Sequence, residues 1–175
     1  MVALLRAVNV GGRKLPMAEL RSLCDELGLQ EVVTYIQSGN IVFSSKLGRE
    51  TAAARLEQAI EQRFGLKVPV IVRTAAEWSA AANSNPFAEA ARDEPNRLML
   101  LISKEPPKPG AEAAIQARAA ASEQVRRAGN ELWIHFPKGS GTSKLTPSLI
   151  DKAIGSAATS RNYRTVTKLK ELLEA

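Results

Sequence analysis

The sequence predicts an α+β protein built from two ferredoxin-like (α-β plait) subdomains with an added C-terminal helix. Three observations carry that expectation. Strand-like apolar runs and segments of helical period follow the order β-α-β-β-α twice along the chain. Each pass contains a hairpin that turns on the same dipeptide, Gly39-Asn40 and Gly129-Asn130. A turn-rich stretch, Asn83 to Pro95, separates the passes. This order describes a small antiparallel sheet with two helices on one face. The expected boundaries are 1–83 for the N-terminal plait, 84–96 for a linker, and 97–175 for the C-terminal plait-like subdomain with its terminal helix.

In the first pass, residues 2–10 (VALLRAVNV) read as a buried strand ending at Gly11-Gly12. Pro16 stands where helices begin, and Leu20, Leu23, Cys24 and Leu27 recur at helical spacing until Gly28 closes the segment. Strands over 32–37 and 41–43 flank the turn Ser38-Gly39-Asn40. A second helix over 51–64 places Ala52, Leu56, Ala59, Ile60 and Phe64 inward, and 67–73 returns as a strand.

In the second pass, 97–103 (RLMLLIS) is a strand, and Pro106-Pro107-Lys108-Pro109-Gly110 makes a stiff loop. The alanine-rich segment 111–121 is helical by propensity. Residues 124–127 and 131–136 form the second hairpin. A Gly/Ser loop, 137–146, leads to a short helix over 147–154, and a last helix covers about 161–173.

With 45% hydrophobic and 24% charged residues, the chain of 175 residues suits one ordinary domain or two small ones. Arg6 interrupts the opening apolar run too early for a secretory signal, and no uncharged apolar run approaches the roughly 18 residues of a spanning helix. One cysteine permits no internal disulfide and fits a reducing, cytoplasmic setting. The positive charge is concentrated. Residues 138–170 carry seven basic side chains (Lys138, Lys144, Lys152, Arg161, Arg164, Lys168, Lys170) against one acid, Asp151, a surplus equal to the whole chain's net charge of +6. Such a concentration points to an anionic partner, a nucleic acid or a phosphorylated small molecule.

The plait reading also groups the loops. If the first and third strands run parallel at the sheet centre, the loops leaving them share an edge. In the first pass these are Gly11-Gly12-Arg13-Lys14 and residues 44–49, with the Gln37–Asn40 hairpin at the opposite edge. In the second they are Lys104–Gly110 and the loop Lys138-Gly139-Ser140-Gly141-Thr142-Ser143-Lys144. Cations in these loops precede helix starts, where the helix dipole disfavours them by about 0.3–1 kcal/mol each. Arg161 and Arg164 are expected in the first turn of the last helix, with Lys168 on the same stripe. Small residues, N–H donors and cations together make an anion site; the plainer alternative is that these cations are simply solvated.

Other chemistries find little support. The Lys138–Lys144 loop lacks the G-x-x-x-x-G-K-[ST] spacing of a P-loop. His135 is the sole histidine and alternates with Ile134 and Phe136 as a strand residue, so zinc, Ser-His-Asp and redox readings fall away, and no metal or cofactor is implied. Cys24 lies on an apolar helical stripe, as a core residue would. Ser143 and Lys144 are adjacent on a loop, a poor geometry for a Ser-Lys pair. The third strand lacks the aromatic pattern of an RNA-reading plait, so a nucleic acid would be held mainly by its phosphates. The last helix has an ordinary core stripe rather than a membrane-surface face.

Several strings resemble one bacterial family, known as domain of unknown function 1697. They are Leu5-Arg6-Ala7-Val8-Asn9-Val10-Gly11-Gly12, then Thr34-Tyr35-Ile36-Gln37-Ser38-Gly39-Asn40, then Asn85-Pro86-Phe87, Gly141-Thr142-Ser143-Lys144-Leu145 and Thr159-Ser160-Arg161-Asn162-Tyr163-Arg164. Ala7 stands where that family usually has glycine, and Tyr163 where tryptophan is frequent. The resemblance implies two plait-like subdomains and brings no activity. It adds polar motif positions as candidates: Arg6, Asn9, Gln37, Ser38, Asn40, Ser143, Arg161 and Asn162. For the Gln37–Asn40 hairpin the turn role is favoured, and Asn162 equally suits a helix cap.

The sequence therefore predicts a cytoplasmic protein binding a phosphate-bearing ligand, nucleic acid or nucleotide. Lys138, Lys144, Arg161, Arg164 and Lys168 would supply charge, and Gly139–Ser143 backbone donors. A small metal-free enzyme acting on an anionic metabolite in a cleft between the plaits, using Arg6, Asn9, Gln37 and Asn162, is the first alternative. A protein-interaction module using sheet edges is the second. The oligomeric state is not legible in these residues.

Overall fold

The computed structural model describes residues 1–175. The chain forms two compact units, Met1–Trp78 with Glu171–Ala175, and Ser79–Lys170. Each contains a four-stranded antiparallel sheet, so the mixed α+β reading holds. No helix is long and apolar enough to cross a membrane.

The first unit runs β1 (Val2–Leu5), α1 (Met17–Glu26), β2 (Gln30–Tyr35), β3 (Asn40–Ser44), α2 (Arg49–Phe64) and β4 (Val70–Arg73). Its sheet has the order β2-β3-β1-β4. Ala3 pairs with Ile41 on one side and Val72 on the other. These residues share a face with Leu5, Phe43 and Val70, and that face packs on Leu20, Leu23 and Cys24 of α1 and Ala52, Leu56 and Ile60 of α2. Each fully buried leucine or isoleucine there contributes about 1.5–3 kcal/mol. α2 stops at Gly65, whose φ of 65° makes a left-handed cap.

The element β1 is shorter than the apolar run 2–10 suggests. Beyond Leu5 the backbone turns through left-handed conformations at Ala7 (φ 51°) and Asn9 (φ 54°), which no strand accommodates. More consequential is the direction of β3. It pairs antiparallel with β1, not parallel as the loop grouping assumed. A crossover through α1 brings β2 back parallel to β1, and the hairpin then reverses β3. The loop after β1 therefore lies at the same sheet end as the β2–β3 hairpin, and the 44–49 loop lies at the other.

α3 (Ala75–Asn83) follows β4. It opens with a capping box: Thr74 Oγ1 accepts from Glu77 N–H at 3.2 Å, and Glu77 Oε2 accepts from Thr74 N–H at 2.8 Å. The segment read as a linker holds a further helix, α4 (Ala88–Asp93), built from strong helix formers just after Pro86.

The second sheet comprises β5 (Leu98–Ser103), β6 (Gln124–Ala128), β7 (Glu131–His135) and β8 (Ala158–Asn162), in the order β6-β7-β5-β8. α5 (Ala111–Gln116) and α6 (Pro147–Ile154) cover one face, burying Leu101, Ile115, Leu132, Ile134 and Ile154. The N-cap of α6 is Thr146, whose hydroxyl accepts from Leu149 N–H at 3.3 Å. α7 (Tyr163–Glu174) is the terminal helix.

Two expectations are corrected here. β5 and β7 are antiparallel, so the Lys104–Gly110 and Lys138–Lys144 loops leave opposite ends of the sheet. In addition, residues 158–162 are a strand rather than the approach to a helix. β8 pairs with β5 from Ser103↔Ala158 to Met99↔Asn162. Arg161 is therefore a buried strand residue on the sheet face opposite α5 and α6, one element earlier than Arg164 and Lys168.

Candidate functional site

Strands β7 and β8 both run antiparallel to β5 and flank it. Their C-terminal ends accordingly share one sheet edge, about 10 Å apart, or two strand spacings. His135 pairs with Leu98, and Asn162 with Met99, so the two exits are level to within a residue. The Gly/Ser loop and the start of α7 emerge there together.

The loop is pinned at both ends. Phe136 and Leu145 are buried in the core of the unit, and Phe136 N–H bonds Arg97 C=O at 2.9 Å. Between these anchors Gly139 N–H closes a turn on Phe136 C=O at 2.8 Å. Gly139 takes φ 83° and ψ 149°, a region essentially reserved for glycine. A single 3-10 turn follows over Ser140–Thr142, and Thr142 Oγ1 donates to Gly139 C=O at 3.3 Å. Ser143 Oγ accepts from Leu145 N–H at 3.1 Å, so that hydroxyl is committed to its own turn. Lys138, Gly141 and Lys144 are exposed along this rim.

Across β5, Asn162 acts as the cap of α7: its Oδ1 accepts from Thr165 N–H at 2.9 Å. Arg164 and Lys168 are exposed and lie one turn apart on α7. No carboxylate occurs between residues 137 and 150 or between 157 and 170. These two segments bring no acidic side chain of their own to the edge. Arg161 does not belong to that rim. It is 6% exposed, and its NH1 donates to Thr159 Oγ1 at 2.9 Å and Ser160 C=O at 2.8 Å. Burial brings its guanidinium down to about 10, still charged at neutral pH.

At one end of the first unit the structure gathers Arg6, Asn9, Gly11, Gly12, Arg13, Gln37 and Asn40. Asn9 is the staple. Its Nδ2 donates to Gln37 C=O at 2.8 Å and Leu15 C=O at 3.0 Å, while its Oδ1 accepts from Leu15 N–H at 2.8 Å. Arg13 donates to Lys67 C=O at 2.6 Å. Asn40 is fully buried and donates to Tyr35 C=O at 2.9 Å. Gly39 sits against Leu5 and Val8. Asn9 and Asn40 thus tie loops together with their side chains, while Gly11, Gly12 and Gln37 are exposed. Cys24 is buried and its thiol is pushed up to about 12 by desolvation and the neighbouring Asp25, which removes it as a nucleophile.

The second unit also contains a cleft of about 520 Å³ between α4 and the β6–β7 hairpin, lined in part by Phe87, Glu89, Glu94, Gln124, Arg126 and His135. Its strand residues were legible only as sheet-face positions, because the opposing wall is α4. His135 Nε2 lies 2.8 Å from Glu94 Oε2, and Glu94 Oε1 accepts from Arg97 at 2.6 Å. Those bonds, led by the one from His135, hold the Glu94 carboxyl below its usual range. With Glu94 ionised, Nε2 is the protonated ring nitrogen and donates. The Arg126 guanidinium carbon lies over the Phe87 ring, 4.9 Å from its centroid. Packing of α4 beside a half-buried histidine is the signal that local periodicity does not carry.

The model of the family described as "Protein of unknown function (DUF1697)" matches residues 1–133. The fold is similar to a solved structure of a conserved bacterial protein from Streptococcus pneumoniae, with a TM-score of 0.72, 21% sequence identity, and coverage of 99% of this chain and 97% of that one. Comparison with curated proteins gives no match.

Proposed function

The chain belongs to the DUF1697 family, and from its geometry we propose that it binds a phosphate-bearing ligand, a nucleic acid or a nucleotide, at the edge where β7 and β8 exit. The observation that supports this reading is the shared edge itself: topology delivers Lys138 and Lys144 on one side of β5 and Arg164 and Lys168 on the other. The turn over Gly139–Thr142 offers backbone donors between them, and the α7 N-terminus adds its dipole. Arg161 acts by holding β8 rather than by touching the ligand. A cytoplasmic setting fits the proposal, since Cys24 is a buried free thiol.

Fluorescence anisotropy with a labelled single-stranded oligonucleotide tests it, with inorganic pyrophosphate as competitor. Three or four phosphate contacts give a salt slope of about −2 to −3, so affinity falls about 20- to 50-fold between about 50 and 200 mM salt. A variant combining Lys138→Ala, Lys144→Ala and Arg164→Ala should lose most of that binding. Affinity unchanged by salt, or retained in the triple variant, refutes the proposal. Pyrophosphate competing without oligonucleotide binding assigns the site to a small ligand.

A further inference from the structure

We propose that the cleft between α4 and the β6–β7 hairpin is a second binding site, which takes a small carboxylate carried on a flat apolar body. Its volume of about 520 Å³ lies in the range of small-ligand pockets. Gln124 and Arg126 alternate along β6 and so project to one face, and Gln124 stands directly opposite His135 in the ladder.

The charge pattern selects the ligand. Three carboxylates approach the cleft, and two of them are already paired. Asp93 is forked by Arg92 at 2.7 and 2.9 Å. Glu94 is held by His135 and Arg97. Glu89 is exposed on α4. Arg126 is different: its one strong contact is with the face of Phe87. A guanidinium held over a ring face through cation–π attraction keeps N–H donors that can fork a carboxylate. Gln124 supplies a neutral amide donor beside it. Phe87 is itself fixed, with its N–H donating to Asn85 Oδ1 at 2.9 Å, and its ring beside His135 at 6.1 Å gives the cleft an aromatic wall. A ligand that is anionic at one end and planar at the other meets both features at once. Of the three carboxylates that a cation would meet, Asp93 and Glu94 are already paired.

NMR titration of the full chain with benzoate, benzamide and benzamidine tests the assignment. Benzoate should shift the Arg126 Nε–H, the Gln124 side-chain amide and the Phe87 N–H together, with a Kd on the order of 1 mM for so small a ligand. Benzamide should not saturate. Arg126→Gln removes the fork from an exposed position and should weaken benzoate at least about tenfold, with the amide spectrum elsewhere unchanged. The assignment is overturned if benzoate leaves those resonances unmoved at about 20 mM, if benzamidine binds more tightly, or if Arg126→Gln keeps full affinity. None of these readouts involves the basic edge, so the two sites stand or fall separately.

Discussion

Replacing Gly39 with alanine destabilises the first unit well beyond what Gly129→Ala does to the second, although each glycine turns a hairpin just ahead of an asparagine. Both have positive φ, 78° and 61°, and an L-residue there loses about 1–2 kcal/mol. Only Gly39 is also crowded. A Cβ would lie 2.6 Å from Val8 Cγ2 and 2.8 Å from Leu5 Cβ, whereas at Gly129 nothing lies within 4 Å. Neither strand can step aside cheaply, because Leu5 N–H bonds Gly39 C=O at 2.8 Å and Leu5 is 1% exposed. Overpacking of that kind adds about 1–3 kcal/mol, for a total of about 2–5 kcal/mol. With a urea m-value of about 2 kcal/mol/M, the midpoint of the first unit falls by about 1–2.5 M, against about 0.5–1 M for the second unit in Gly129→Ala. Urea unfolding followed by peptide-level hydrogen exchange, read in β1 and in β7, assigns each loss to its unit. Equal losses in the two variants would refute the reasoning, since only the crowding differs.

Asn9→Asp replaces the amide that donates to Gln37 and Leu15 carbonyls with a carboxylate facing both; it should cost about 2–4 kcal/mol, measured by thermal or urea unfolding at neutral pH. Ala7→Gly relieves a left-handed alanine (φ 51°) and should raise stability by about 0.5–1 kcal/mol after the entropy cost of glycine; a lower Tm contradicts the strain. Arg161→Ala empties a buried, hydrogen-bonded position and should cost about 2–4 kcal/mol, while Arg164→Ala stays within about 0.5 kcal/mol and lowers only oligonucleotide affinity. Equal stability in the two arginine variants would place Arg161 on the surface.

Much of the architecture was legible because apolar spacing decides it. Leu20, Leu23 and Cys24 announce α1, and the two Gly-Asn turns announce the hairpins. The direction of β3 was legible as well. A helical crossover followed by a hairpin reverses the third strand, and grouping the loops after the first and third strands overlooks that reversal. α3 carried its own signature in Thr74 and Glu77. β8 was harder. Its sequence, Ala158-Thr159-Ser160-Arg161-Asn162, has no apolar alternation, and one of its two buried residues is an arginine. Tertiary burial overrides local pattern at that point, and Arg161 moves from expected ligand contact to internal support. The cleft beside His135 was illegible for a related reason: a sheet-face histidine declares nothing until the helix opposite is known.

The most direct test of the basic edge is a backbone-amide NMR titration with inorganic pyrophosphate at low salt. The largest saturable shifts should fall on Lys138–Lys144 and Tyr163–Thr165, on both sides of β5. Shifts concentrated instead on Arg6–Lys14, or none that saturate, would contradict the account.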